Sequence, residues 1–363
     1  MGPWWIGRAL FFLLMVPGIL AWGKEGHYAI CKIAEGYLTE DALAAVKRLL
    51  PDSAEGDLAA VCSWPDEIRF HLRWSGPLHY VDTPDFKCNY KYCSECLVFC
   101  NSTMLVLMKS NSLRLLCGLR FEKLLMMVRS REIGDCHDTA GRKDRCVTGA
   151  IYNYTMQLTT SYHDSVLESK CEYLCIMGDT FICQFMISGY ILLHPFMMTD
   201  NLTEALMFLS HFIGDVHQPL HVGFLGDEGG NTITVRWYHR KTNLHHVWDT
   251  MIIDSALKTF YNSDLATMIL AIQRNITDDW SNDVLSWETC SSNHTVCPDP
   301  YASESISLAC KFAYKNATPG STLSDDYFLS RLPVVEKRLA QSGVRLAATL
   351  NRVFASGAKI AVG

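Results

Sequence analysis

A histidine followed four residues later by an aspartate occurs twice in this chain, as His211-x-x-x-Asp215 and His245-x-x-x-Asp249. This spacing constrains the fold more than any other feature. In an α-helix, side chains four apart lie one turn apart on the same face. Each pair therefore offers an imidazole nitrogen and a carboxylate oxygen together only if its segment is helical, and that ligand set suits zinc. A solvated ion pair would account for either pair alone; their repetition points to one shared site. By the same geometry His217 lies about 200° around the helix from Asp215, and His246 about 100° from His245, which leaves both outside the ligand set. His221 follows Pro219, which ends or bends the helix and lets the chain swing back to the site.

The surrounding periodicity supplies the helices. Over 22–50, Ile30, Ile33, Ala34 and Tyr37 recur at three- and four-residue spacing and Pro51 marks a stop, which predicts a core helix. Residues 201–215 open with an Asn/Thr cap candidate and continue strongly apolar, predicting the helix that carries the first pair. The turn-like stretch 226–231 leads into a β-prone run, 232–238, so a short hairpin is expected there. Helical spacing returns over 243–260, 302–316 and 325–354. The chain reads as one mainly α domain with a small β-hairpin over 22–354, and 355–363 as a C-terminal tail.

Two stretches do not fit this picture. Residues 95–134 include a basic amphipathic tract with Arg114, Arg120 and Lys123, and residues 180–198 within 171–200 carry no Asp, Glu, Lys or Arg. The second is long enough to be weighed as a membrane span, although Gln184, Ser188, His194 and Pro195 count against it. A lone span would separate Trp22, His27, Asp66 and His79 from residues 211–249, and no shared site could form.

With 32 basic against 38 acidic residues, the net charge of −6 excludes a broad basic surface that grips a nucleic-acid backbone by charge alone. Fifteen cysteines and six N-x-[ST] sequons, at Asn101, Asn153, Asn201, Asn275, Asn293 and Asn316, point to the secretory pathway and glycosylation. Arg8 before the apolar run 9–20, then Ala21, reads as a signal peptide over 1–21 cut before Trp22; a signal anchor is the alternative.

The motifs Trp22-Gly-Lys-Glu-Gly-His27, Ser63-Trp-Pro-Asp66, Leu78-His-Tyr-Val-Asp82, His211-Phe-Ile-Gly-Asp-Val-His-Gln-Pro-Leu-His221, Gly229-Gly-Asn231 and Asn243-Leu-His-His-Val-Trp-Asp249 follow one another in an informative order. In order, spacing and identity they resemble the zinc-dependent, single-strand-specific nucleases of plants and fungi, most closely the plant bifunctional type. The resemblance covers almost all of 22–352 except the two odd stretches. These look like about 40 and 30 residues added to the family's chain, either as loop insertions or as read-through of unspliced sequence.

The resemblance implies an all-α fold shared with bacterial phospholipase C and three Zn²⁺ per chain. One zinc would be held by Asp66, His79, His211 and Asp215, and a second by His221, His245 and Asp249. The third would take the free amine and carbonyl of Trp22, His27 and a bridging Asp215, so signal cleavage would help to build the site. Arg69 would steady the phosphate, joining Asp66 and Asp215 as the catalytic residues, and Tyr80 and Asp82 would form a base pocket. Stacking on an aromatic face needs an unpaired base, which accounts for single-strand preference. Three zincs less their three aspartates and one hydroxide leave about +2 at the scissile phosphate, so an acidic protein would focus its charge there.

The implied activity is endonucleolytic hydrolysis of RNA and single-stranded DNA to 5′-phosphates, with 3′-nucleotidase activity, by a secreted or vacuolar monomer without an obligate protein partner. A phospholipase C on the same metals, or an inactive binding protein if the two stretches disrupt the fold, are the other readings. The resemblance also suggests disulfides Cys31–Cys62 and Cys290–Cys297. Cys88, Cys93, Cys136 and Cys146 could pair in three ways, which leaves Cys310 over.

Overall fold

A computed structural model describes residues 22–92, 134–176, 202–290 and 294–355. The expected signal peptide, most of 95–134, residues 177–200, the tail from 356, Cys93, Asn101, Asn201 and Asn293 lie outside the described residues.

The expected single helix over 22–50 is two helices, α1 (Lys24–Glu35) and α2 (Glu40–Leu49). Gly36 ends the first, and Thr39 caps the second by accepting a hydrogen bond from the Ala42 N–H, as N-cap hydroxyls do. The apolar spacing continues through the break because both helices face one core. Next come α3 (Trp64–Ile68) and a 3₁₀ segment, Arg73–His79. The long α4 (Val147–Ile176) runs into the start of the second odd stretch. Helix α5 (Leu202–Asp215) has the expected bounds. Among the described residues no helix is long and apolar enough to cross a membrane; the 180–198 span lies outside them.

The expected hairpin forms from β1 (Thr234–Trp237) and β2 (Arg240–Asn243), with its reversal at Tyr238 and His239. A third strand, β3 (Thr322–Leu323), adds in parallel to β1. Beyond it, 243–260 is a short α turn (Leu244–His246), a π turn (Val247–Met251) and α6 (Ile252–Phe260). Helices α7 (Leu265–Thr277), α8 (Ser281–Glu288), α9 (Pro298–Leu308) and α10 (Asp325–Val353) complete the bundle.

Helix α10 packs along α1, and α4 along α5. Val335, Leu339, Val344, Leu346 and Leu350 of α10 are fully buried, as are Ile30 and Ile33 of α1. Helix α5 is buried from Ala205 to Asp215. A helix apolar on every side cannot sit at a surface, so α5 lies inside, packed against α1, α2, α3, α4 and α10, and its C-terminal His211 and Asp215 come to rest in the interior.

Disulfides Cys31–Cys62 and Cys290–Cys297 are present. The remaining pairing differs from the sequence expectation: Cys136 joins Cys146, and Cys88 reaches across 222 residues to Cys310. Cys310 is therefore not a leftover, and the four cysteines between 88 and 146 do not pair only among themselves. Local spacing carries no information about a partner that tertiary folding brings in from so far away.

Candidate metal centre

Six separate segments deliver the expected ligands to one buried cleft. His27 comes from α1, Asp66 from α3, His79 from the end of the 3₁₀ segment, and His211 and Asp215 from α5. His221 follows Pro219 in a second 3₁₀ turn, Pro219–Val222, and His245 and Asp249 come from the α-to-π junction. The sequence expectation of an α-helical face for the last pair is thus amended: a π turn begins at Val247, two residues after His245, a feature frequent at functional sites. The pair still meets, with His245 Nε2 3.4 Å from Asp249 Oδ2.

Close approach depends on two glycines. A Cβ on Gly214 would stand 2.8 Å from His27 Nδ1, so α1 can dock beside α5 with the His27 ring stacked 3.8 Å from His211. Gly229 has φ of 61°, which side chains disfavour, and a Cβ there would lie 2.4 Å from the Leu220 carbonyl oxygen.

Around Asp215, Oδ2 lies 3.0 Å from His79 Nδ1 and 3.3 Å from His211 Nε2, while Oδ1 lies 3.2 Å from His27 Nε2. Asp66 Oδ1 stands 3.7 Å from both His79 Nδ1 and His211 Nε2. In the second cluster His221 Nε2 lies 3.7 Å from Asp249 Oδ1 and 3.2 Å from His245 Nε2. Ligand atoms of His79, His211 and Asp215 fall within 4.8 Å of one another, as do those of His221, His245 and Asp249, and those of His27, Asp66 and His211.

The outer hydrogen bonds decide which ring nitrogen faces the cleft. His211, His221 and His245 each donate Nδ1–H to a main-chain carbonyl, of Cys62, His79 and Gly229, at 2.8, 2.7 and 2.7 Å. Each Nε2 then carries a bare lone pair. Two such lone pairs, on His221 and His245, face each other across 3.2 Å. Lone pairs at that distance repel unless a cation stands against them. Asp66 Oδ1, Asp215 Oδ1, His79 Nε2 and both nitrogens of His27 are also buried without a hydrogen-bond partner. Carbonyl-oriented imidazoles and orphaned buried donors are the usual surroundings of a metal ligand set, so these residues fit metal ions.

Charge balance agrees. Burial pushes the Asp66 and Asp249 carboxyls up to about 7 and about 8. Burial also lowers His79 to about 4 and brings His221 and His245 down. Asp215 would rise with burial too, but His211, His27 and His79 around it hold it well below the usual range. Desolvated carboxylates beside His79, His221 and His245, whose protonation burial disfavours, make a site short of positive charge, the condition that bound cations relieve.

The other expected residues lie at the edge. Arg69, just past α3, has Nη1 3.7 Å from Asp66 Oδ1. Trp22 is fully buried, with its indole N–H donated to the Gly214 carbonyl at 3.0 Å, while the Gly23 N–H reaches the Asp249 carbonyl at 2.7 Å. Residue 22 is thereby held between the two halves of the site. The strip 79–83 runs beside 221–225, with the Val81 N–H donating to His221 O and the Thr83 N–H to Gly223 O, both at 2.8 Å. His79, Val81 and Thr83 point inward and are buried, while Tyr80 and Asp82 alternate outward and are half-buried, as an extended strip requires. Burial and the Glu228 charge raise Asp82 to about 7.

Neither His217 nor His246 belongs to a cluster of potential ligand atoms among the described residues. His217 donates Nδ1–H to Ile213 O at 2.7 Å and receives Arg345 at Nε2, 2.9 Å away. Sequence reasoning missed Gln218. Its side-chain N–H donates to Asp249 Oδ1 at 2.5 Å, and its Oε1 accepts from the Leu220 N–H at 2.6 Å. Because both amide ends are engaged, only the NH₂ can face the carboxylate. Its one sequence signal was its place between Asp215 and His221.

A cleft of buried imidazoles and carboxylates delivered by a helical bundle defines a metal-dependent hydrolase type of site. Comparison with known proteins carries this further. The family profile described as S1/P1 Nuclease matches residues 22–115 and 127–355. Endonuclease 4 of Arabidopsis thaliana is 57% identical over 98% of this chain and 96% of its own length. Endonuclease 5 of the same plant is 50% identical over 98% of both chains, and nuclease P1 of Penicillium citrinum is 25% identical over 92% of this chain and 98% of its own. The chain belongs to the S1/P1 nuclease family, and it is a nuclease.

Proposed function

We propose that this protein is a zinc-dependent endonuclease that hydrolyses RNA and single-stranded DNA to 5′-phosphate products and removes the phosphate of 3′-nucleotides. The observation that carries the reading is the His221–His245 contact, where carbonyl-fixed rings turn two lone pairs toward each other in a buried cleft. The proposed ligands are Asp66, His79, His211 and Asp215 for one zinc, and His221, His245 and Asp249 for a second. Trp22, His27 and a shared Asp215 are proposed for the third. Zinc supplies Lewis acidity and brings the pKa of a water toward neutrality.

The protein's own groups do the rest. Asp215, with His27 near Oδ1 and His79 and His211 near Oδ2, joins the first set to the Trp22 end of the cleft. Arg69, at the lip beside Asp66, binds phosphoryl oxygens, for which a planar guanidinium is suited. Tyr80 stacks on a base and Asp82 accepts from its edge. A paired base has no free face to offer, so single strands are selected.

The domain is taken to run from 22 to 354 after removal of 1–21. Disulfides and sequons support export to an extracellular or vacuolar space, with glycans at Asn153, Asn201, Asn275, Asn293 and Asn316 and a monomeric enzyme. The test is metal content and hydrolysis on secreted protein that begins at Trp22. Three zincs per chain and cleavage of polyadenylate, but not of duplex DNA or phosphatidylcholine, are expected; a folded, correctly processed, metal-free protein would refute the reading.

A further inference from the structure

Phe86 breaks two rules at once. It is 90% exposed, the most solvent-exposed large hydrophobic side chain among the described residues, and its backbone has φ of 62°. It is the third residue of the turn 84–87, closed by the Lys87 N–H to the Pro84 carbonyl at 3.1 Å. A positive φ at that position favours glycine or asparagine, and for a bulky residue it is strained. Strain and apolar exposure held together, with no folding benefit from either, suggest a function for the side chain.

The backbone on either side of Phe86 is tied down. Thr83 pairs with Gly223 and Leu225 on one side, with the Leu225 N–H donating to Thr83 O at 2.9 Å. Asp85 Oδ1 accepts the Gly226 N–H at 2.7 Å, and Cys88, two residues past Phe86, is tied to Cys310. Beneath Phe86 lies Phe224, with ring centroids 6.0 Å apart, and Phe224 stacks in turn on Tyr314 at 4.6 Å and 8°. The result is a rigid aromatic step backed by two more rings. It lies on the continuation of the strip that carries Tyr80 and Asp82.

We propose that Phe86 is a second stacking platform, for the base of a neighbouring nucleotide in an unpaired strand whose other base sits at Tyr80. This rests on the nuclease reading above and deepens it. The surroundings are acidic, with Asp82, Asp85, Asp227 and Glu228 nearby. They repel phosphates, so the strand must turn its bases inward and its backbone outward here. A mononucleotide reaches only one platform and is indifferent to Phe86.

The test compares Phe86→Asn and Phe86→Trp with the wild-type holoenzyme on a short oligodeoxyadenylate and on 3′-AMP. Asparagine relieves the backbone and removes the ring. It is expected to raise the melting temperature while raising KM for the oligonucleotide about tenfold, within what one stacked base contributes, and to leave 3′-AMP hydrolysis unchanged. Tryptophan is expected to keep the low KM, with its fluorescence quenched by a phosphorothioate oligodeoxyadenylate. Equal oligonucleotide KM for Phe86→Asn and wild type, or parallel loss on both substrates, would overturn the proposal. A wild-type protein that cleaves neither substrate would instead overturn the nuclease reading beneath it.

Discussion

Replacing Gln218 by Met keeps the length and volume of the side chain while removing its N–H donor and its acceptor. In the native site that donor lies 2.5 Å from Asp249 Oδ1 and nothing of the residue is exposed. A hydrogen bond to a charged group contributes about 1.5–3 kcal/mol, and each 1.4 kcal/mol is a factor of about ten in affinity. The expected cost is therefore about 10–100-fold in metal affinity, the range found when outer partners of metal ligands are removed. It falls on the His221/His245/Asp249 site, because the Gln218 side chain bonds Asp249 and the Leu220 N–H, while its one bond to a ligand of the other two, from its main-chain N–H to the Asp215 carbonyl at 3.0 Å, survives the substitution. Competition against a fluorescent zinc chelator at buffered free zinc reads this directly: one binding step weakens and the others stay. Gln218→Glu, which keeps the acceptor for the Leu220 N–H but loses the donor, should weaken the same step. An unchanged isotherm for Gln218→Met, or equal weakening of all steps, would refute the reasoning, as would wild-type affinity in Gln218→Glu.

Asp215→Asn is expected to abolish hydrolysis and lower bound zinc while leaving the disulfide-bonded fold intact; full turnover in a folded variant would contradict the ligand assignment. Replacing Cys88 and Cys310 together by Ser opens a link between positions 222 apart, and a loop of that order is worth about 5 kcal/mol on chain-entropy grounds; chemical denaturation should show most of it. Glu304→Ala removes the carboxylate that pairs with Arg345 at 2.6 Å and with the fully buried Arg338 at 2.8 Å, and leaving a buried cation unpaired costs about 3 kcal/mol, measurable by urea unfolding. Asp82, raised to about 7 by burial and the Glu228 charge, would accept hydrogen bonds from a base more strongly when ionised. Its proposed contribution to oligonucleotide binding should therefore weaken as pH falls through about 7 and be fully present above it. Asp82→Asn should flatten that part of the KM profile against pH.

Part of the proposed ligand set was legible because His/Asp pairs on helices announce themselves by spacing, whereas Trp22, His27, Asp66 and His79 rested on the motif resemblance. His211 and Asp215 come together by helical repeat alone, and Pro219 marks where the chain must turn to bring His221 back. The same local reasoning removed His217 and His246, and neither joins a group of potential ligand atoms among the described residues. It failed where a boundary depends on capping, as at Gly36 and Thr39, and where an α pattern hides a π turn, as at Val247–Met251.

What the sequence by itself determined about this protein is the pairing of His211 with Asp215 and of His245 with Asp249, and the helical class, since both rest on interactions within a few residues. Only the tertiary structure decided that Cys88 pairs with Cys310, that Gln218 aims at Asp249, and that main-chain carbonyls turn the His221 and His245 lone pairs toward each other. Those outcomes depend on where distant segments pack, and side chains far apart in sequence acquire a common geometry only when the core that joins them has formed.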